Sequence, residues 1–373
     1  MYRIGFDAKR VFHNFTGLGN YSRTLLRNLA QARPEWTYFL YTPSPRTHDE
    51  TRDFLDNPMF QLRQPTQWQK LGWRSYRMTS HFRTDELDLY HGLSHELPYG
   101  IRSTKVPSIV TIHDLIFRHY PDQYAWFDRQ MYDRKFRYAC DKSDLIIAIS
   151  ESTKRDIMDF YGTPADKIRV VYQSCHEGFM VKRTPKVREQ TLEKYQLPSA
   201  FMLYVGSLIE RKNLLGIIEA MHRLPVADRL PLVIVGQGDA YRKRVLALAE
   251  QYGLTPLLHF IRPLFSDLPA LYQQAQLFLY PSYFEGFGIP ILEELYSETP
   301  VLTSNRSSLP EAAGAGGYLV APDDYEAMAA GIQKLLSDSD LCQALIRAGY
   351  AHAQQFQGEH LTAQLLKVYE TLL

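Results

Sequence analysis

Leu277-Phe-Leu-Tyr280-Pro281-Ser-Tyr-Phe-Glu285-Gly-Phe-Gly288-Ile-Pro290-Ile-Leu-Glu293-Glu294 reads as a strand, a glycine turn and the start of a helix. Four large apolar residues halted by a proline mark a strand buried on both faces, as in a parallel sheet. Gly286 and Gly288 let backbone amides approach a ligand, and Pro290 suits a first helical turn, where its missing N–H costs nothing. The free amides and positive end of such a helix favour a phosphate by about 0.3–1 kcal/mol, or about 2 kcal/mol when partly buried. Two carboxylates this near an anion would repel it unless each accepts hydrogen bonds from hydroxyls. Glu285, in the loop, then suits a transferred sugar, and Glu293, in the first turns of the helix, suits a ribose diol. Phe287 and Ile289 complete the expected donor-binding loop.

Outward from this run the same grammar repeats. Apolar runs at 2–6, 38–41, 87–90, 108–112, 145–149 and 169–172 alternate with helical stretches at 21–29 and 152–161. After a polar, strand-poor stretch at 181–199 the pattern restarts at 201–205, 232–235, 259–261, 277–280 and 301–303. Such alternation predicts a doubly wound α/β fold, with two Rossmann-like domains facing a central cleft. The expected domains are 1–180, completed by a returning C-terminal helix within 356–373, and 181–355.

Composition excludes several classes. The chain has 373 residues, 42 basic and 41 acidic, for a net charge of +1. No whole-molecule field exists to hold nucleic acid, so any anion site is local. Cys140, Cys175 and Cys342 lack CxxC spacing and read as small buried hydrophobes in a reducing compartment. Neither a secretory leader nor a membrane-spanning run is visible, so a cytoplasmic location is expected. No His or Cys cluster has metal-ligand spacing, and Asp338-Ser-Asp340 stands among helix-capping residues with no strand before it, so no metal or cofactor is expected.

Further candidates stand at other strand ends. Gly206-Ser-Leu-Ile-Glu-Arg211-Lys212-Asn213 follows the 201–205 run, where two adjacent cations can neutralise a leaving diphosphate. Thr16-Gly17-Leu-Gly19-Asn-Tyr21-Ser22 precedes a helix. Ser22 replaces the third glycine of a dinucleotide fingerprint, and the second strand carries no acid at its tip, so a loop over donor phosphates is the better reading. His113-Asp114 ends the 108–112 strand; His113 can donate to the donor sugar, with Asp114 setting its tautomer or capping the next helix. His91 and His95-Glu96 are candidates for the acceptor side. The stretch 68–83, with Lys70, Arg74, Arg77 and Arg83 among aromatics and no acid, reads either as a helix packing into the first domain or as peripheral membrane contact.

These residues resemble glycosyltransferase family 4, retaining enzymes of the GT-B fold. The likeness rests on Thr16 to Tyr21, Thr111 to Leu115, Ile149 to Asp156, Val205 to Asn213, Gly236-Gln-Gly238 and, above all, Glu285 and Glu293 with seven residues between. The resemblance implies Gly17 and Gly19 near the donor phosphate, His113 near the sugar, Arg211 and Lys212 on the diphosphate, Glu285 on the sugar and Glu293 on the ribose. It places Gly206, Gly236, Gly286, Phe287, Gly288 and Ile289 in the donor site. It implies metal-independent transfer with retained configuration, from a nucleotide-sugar donor to a glycan or polyprenyl-linked acceptor. Two segments depart from the pattern: Tyr172 to Phe179, and Ser307-Ser308 where relatives often carry two glycines. Both are similar to bacterial mannosyltransferases of surface-polysaccharide assembly, which points to GDP-mannose. A nucleotide-sugar epimerase or hydrolase, an NAD-dependent oxidoreductase and a catalytically silent sugar-nucleotide-binding subunit are the rivals.

Overall fold

The computed structural model describes residues 1–66 and 72–373. The chain forms two compact units, Met1–Gln173 with Gly358–Leu373, and Ser174–Gln357.

The first unit is built on β1 (Arg3–Asp7), β2 (Thr37–Tyr41), β3 (Phe60–Arg63), β4 (Leu89–Gly92), β5 (Ser108–Ile112), β6 (Leu145–Ala148) and β7 (Ile168–Val170). They form one parallel sheet in the order β3-β2-β1-β4-β5-β6-β7. Successive residues serve opposite faces, so Tyr38 and Leu40 pack into one apolar layer and Phe39 and Tyr41 into the other. The helix Gly358–Glu370 completes the first layer: Leu365, Leu366 and Tyr369 pack with Leu26, Leu29 and Trp36. Tyr369 also hydrogen-bonds His91 Nδ1 at 2.7 Å.

The second unit carries β8 (Met202–Val205), β9 (Leu232–Val235), β10 (Leu258–Ile261), β11 (Leu277–Tyr280), β12 (Val301–Ser304) and β13 (Gly317–Val320), parallel in the order β10-β9-β8-β11-β12-β13. Its main apolar layer joins Tyr204, Ile234, Leu279 and Leu302 to the helix Leu214–Arg223. The expected helix after Gly288 spans Ile289–Ser297 with Pro290 in its first turn. In each sheet the strand order reverses once, between β1 and β4 and between β8 and β11. Ligands of open α/β sheets bind beyond the carboxyl ends at such reversals, because the flanking loops diverge there.

The stretch 68–83 packs inward where it is described; Trp68 and Lys70 lie outside the described residues. Trp73, Met78 and Phe82 are buried in the core. Arg74 turns in as well, with Nη2 at 2.6 Å from Asp7 and Nη1 at 2.9 Å from Glu96. Tyr76, Arg77 and Arg83 face outward. Asp338 Oδ1 accepts from the Leu341 amide, the capping role its neighbours suggested.

Candidate active site

The reversal between β8 and β11 gathers the charged residues of the second unit. Arg211 and Lys212 stand on a 3-10 turn, Glu210–Lys212, after β8; Glu285 stands in the loop after β11. Glu285 Oε1 lies 2.9 Å from Arg211 Nη1 and 2.6 Å from Lys212 Nζ. Both cations reach the same carboxylate oxygen, so the contact is one ion pair shared by two partners. Arg211 also donates to the Phe284 carbonyl, and Lys212 to the Tyr280 hydroxyl.

Burial alone would push the Glu285 carboxyl up; the Lys212 and Arg211 charges outweigh it and hold the group below the usual carboxylate range. Burial drives Lys212 below the usual lysine range, against the pull of Glu285. Two cations facing one carboxylate leave a local excess of positive charge in a buried setting, where charge acts more strongly than in water.

Asn213 locks the turn in place. It sits in the left-handed region with φ of 58°, caps the following helix through Oδ1 to the Gly216 amide, and donates through Nδ2 to the carbonyls of Pro281 and Pro322. The β8 loop is thereby tied to the β11 loop. Gly236 permits a second close approach: a Cβ there would meet the Gly206 carbonyl oxygen at 2.0 Å.

The segment after Glu285 leads into the helix Ile289–Ser297 through Gly288, whose φ of +124° is closed to most L residues. That helix's N-cap, Gly288, has no side chain to offer, and the Gly288 carbonyl accepts from the Ile291 amide at 2.9 Å. Phe287 is buried, with its ring 5.4 Å from that of Phe356, whereas Gly286 and Ile289 are part-exposed. Glu293 is also part-exposed and accepts from the Tyr272 hydroxyl at 2.8 Å. Burial pushes it up to about 7.

In the first unit, Gly17 and Gly19 open the helix Gly17–Ala32 after β1. They are not equivalent. A Cβ at Gly19 would lie 1.6 Å from the Asn14 carbonyl oxygen, whereas one at Gly17 would meet nothing within 4 Å. Packing therefore requires the second glycine and leaves the first unexplained.

His113, after β5, is buried, and its ring is met edge-on by Tyr21 at 4.7 Å. Its Nε2 faces the Leu93 carbonyl at 2.9 Å, which can only accept, so Nε2 carries the proton and Nδ1 accepts from Gln173 at 2.9 Å. Burial, helped by His95, lowers His113 to about 3. Both ring nitrogens are thus committed within the unit, and reaching a sugar requires one of these bonds to break. Asp114 caps the next turn through Oδ1 to the Ile116 amide. His91 is spent on the core, between Tyr369 and Thr111 Oγ1, and Glu96 pairs with Arg74 and Lys135.

Tyr272 is the neighbour of these residues that sequence reasoning did not single out; Asn213 stood in the quoted run without a role of its own, and Ser307 and Ser308 only as a departure from a glycine pattern. Among the described residues no group of three or more His, Cys, Asp or Glu side chains could hold a metal ion, and no helix is long and apolar enough to cross a membrane.

Residues 15–174 match the model "Glycosyltransferase Family 4" and residues 187–352 the model "Glycosyl transferases group 1". The chain is similar to the O-antigen chain mannosyltransferase B of Escherichia coli, with 29% identity over 99% of this chain and 100% of that protein. Among solved structures, Alr3699/HepE of Anabaena in complex with UDP superposes with a TM-score of 0.78 at 16% identity over 100% of both chains. WaaG, a glycosyltransferase involved in lipopolysaccharide biosynthesis, does so with 0.73 at 20% identity over 98% of this chain and 99% of that one.

Proposed function

Because this chain belongs to the family 4 glycosyltransferases, we propose that it transfers mannose from GDP-mannose to a growing surface-polysaccharide acceptor, with retention of configuration and without a metal. The observation that carries the reading is the Arg211–Glu285–Lys212 cluster at the β8/β11 reversal. A nucleotide-sugar diphosphate takes the two cations and the positive end of the helix Ile289–Ser297, so the charge of the leaving group is met by fixed protein groups. Glu285 keeps its second oxygen for hydroxyls of the transferred sugar, and Glu293 accepts from the ribose.

The leaving diphosphate then withdraws from the anomeric carbon while one of its oxygens takes the proton of the acceptor hydroxyl on the same face. The C–O bond to phosphate breaks as the new glycosidic bond forms, and the proton ends on the diphosphate. Arg211 and Lys212 supply the positive charge this step requires. The choice of mannose rests on the likeness to the E. coli O-antigen mannosyltransferase.

Peripheral contact with an anionic membrane is part of the proposal, through Tyr76, Arg77 and Arg83. Flotation with anionic liposomes tests it, and binding unchanged by neutralising both arginines would end it.

The main test compares donors. GDP-mannose is expected to raise the melting temperature more than UDP-glucose does. Arg211→Ala or Lys212→Ala is expected to slow transfer by about tenfold to a few hundredfold, the worth of one charge-assisted bond. Equal stabilisation by both donors would remove the mannose assignment, and unchanged turnover would remove the site.

A further inference from the structure

Both peptide groups of the Glu285 residue are held by serine hydroxyls from the loop after β12. Ser307 Oγ accepts from the Glu285 amide at 3.0 Å. Ser308, fully buried, shares its hydroxyl proton between the carbonyls of Glu285 at 2.9 Å and Phe287 at 2.8 Å. Ser308 has an ordinary helical backbone, but Ser307 does not: its φ is +52°, in the left-handed region that favours glycine. A serine there is strained relative to glycine, and strain of this kind persists only where the surroundings impose it and clusters at functional sites. Among the described residues the one bond its side chain makes is to the residue whose carboxylate faces Arg211 and Lys212.

We propose that Ser307 is a positioning residue for Glu285: its hydroxyl anchors the Glu285 amide and so sets where the carboxylate meets the transferred sugar. This rests on the role of Glu285 given above. Without the anchor the Glu285 loop keeps the Ser308 contacts, but its amide is free to rotate away. Chemistry that depends on a fixed carboxylate then loses rate before the fold loses stability.

Ser307→Gly separates the two, because glycine relieves the left-handed backbone while deleting the hydroxyl. The expected result is a melting temperature no lower than that of the parent, faster hydrogen exchange in the peptide covering 283–288, and a fall in kcat of about five- to tenfold, the range of one neutral hydrogen bond. Ser307→Ala, which keeps the strained backbone, should lose rate and stability together. Unchanged exchange in 283–288, or a kcat within twofold of the parent, would overturn the proposal. Glu285→Gln serves as the companion: if it transfers sugar at the parental rate, the role of Glu285 fails, while exchange still decides whether Ser307 anchors the loop.

Discussion

Tyr272 donates to Glu293 Oε2 at 2.8 Å, and that bond opposes the burial that pushes Glu293 up to about 7. Both forms of the carboxyl are therefore populated near neutrality. Ribose hydroxyls donate to a carboxylate, so the ionised form binds better, and affinity for a sugar nucleotide should rise from pH 6 to pH 8. The diphosphate of a sugar nucleotide is fully ionised over this range and adds no slope. Tyr272→Phe removes a bond that favours the charged form, so the midpoint should move to higher pH and the affinity at pH 7 should fall by about tenfold or less. Calorimetric titration at several pH values checks both. A flat profile in the parent would show that Glu293 does not hold the ribose.

Glu294, next in sequence, is fully buried, and a hydrogen bond from Thr299 is the one influence that favours its charged form. Burial, with Glu293 adding to it, pushes its pKa well above the ordinary glutamate value, so the folded chain holds a proton that the unfolded chain releases. By linkage, the fold loses stability as pH rises above the unfolded value near 4.5 towards the raised folded value. Glu294→Met, similar in volume and free of polar atoms, should be more stable than the parent by about 1–3 kcal/mol at pH 8. The gain should shrink towards pH 4.5. Thermal melts at both pH values check this, and a parent more stable than the variant at pH 8 would show that the Thr299 bond outweighs the cost of burial.

The interior strands were legible because each is buried on both faces and reads as a continuous apolar run; β5, β9 and β11 begin and end where the pattern placed them. The missed strands, β3 and β13, are edges of their sheets. Phe60-Gln-Leu-Arg63 alternates apolar and polar residues and carries no continuous run, whereas Tyr318-Leu-Val320 is a short apolar run, partly exposed at the sheet edge, that went unread. Arg211, Lys212, Glu285 and Glu293 stood out because they follow central strands. Their partners did not: Tyr272 lies within an amphipathic helix and Ser307 in a polar turn, and neither position carries a local pattern that says what it will touch. Arg74 misled for the same reason, since Asp7, which draws it inward, lies 67 residues away.

Glu285 neutralises the cations that the donor is proposed to use, so its removal should affect binding and turnover in opposite senses. In Glu285→Gln the ion pairs vanish and Arg211 and Lys212 face the diphosphate with no competitor. Affinity for GDP should hold or rise, while kcat should fall by about tenfold to a hundredfold through loss of a charge-assisted bond to the sugar. Binding and steady-state kinetics on the same preparation decide it. A parallel loss of nucleotide affinity would mean that the carboxylate holds the cations in place and does not act on the sugar.

Gly17 and Gly19 offer a separation of packing from ligand approach within three residues. Alanine at 19 places a methyl group 1.6 Å from the Asn14 carbonyl, a clash relieved only by moving the helix start, with an expected cost of about 1–3 kcal/mol or more. Alanine at 17 enters open space and should leave stability within about 1 kcal/mol of the parent. If the backbone at 17 lies against donor phosphate, however, the new methyl occupies the ligand's volume, and KM for the donor should rise by about tenfold with the melting temperature unchanged. Conformational freedom does not explain glycine there, because Gly17 begins a regular helix that alanine also adopts. An unchanged donor KM in Gly17→Ala would therefore take the first unit's glycine loop out of the donor site.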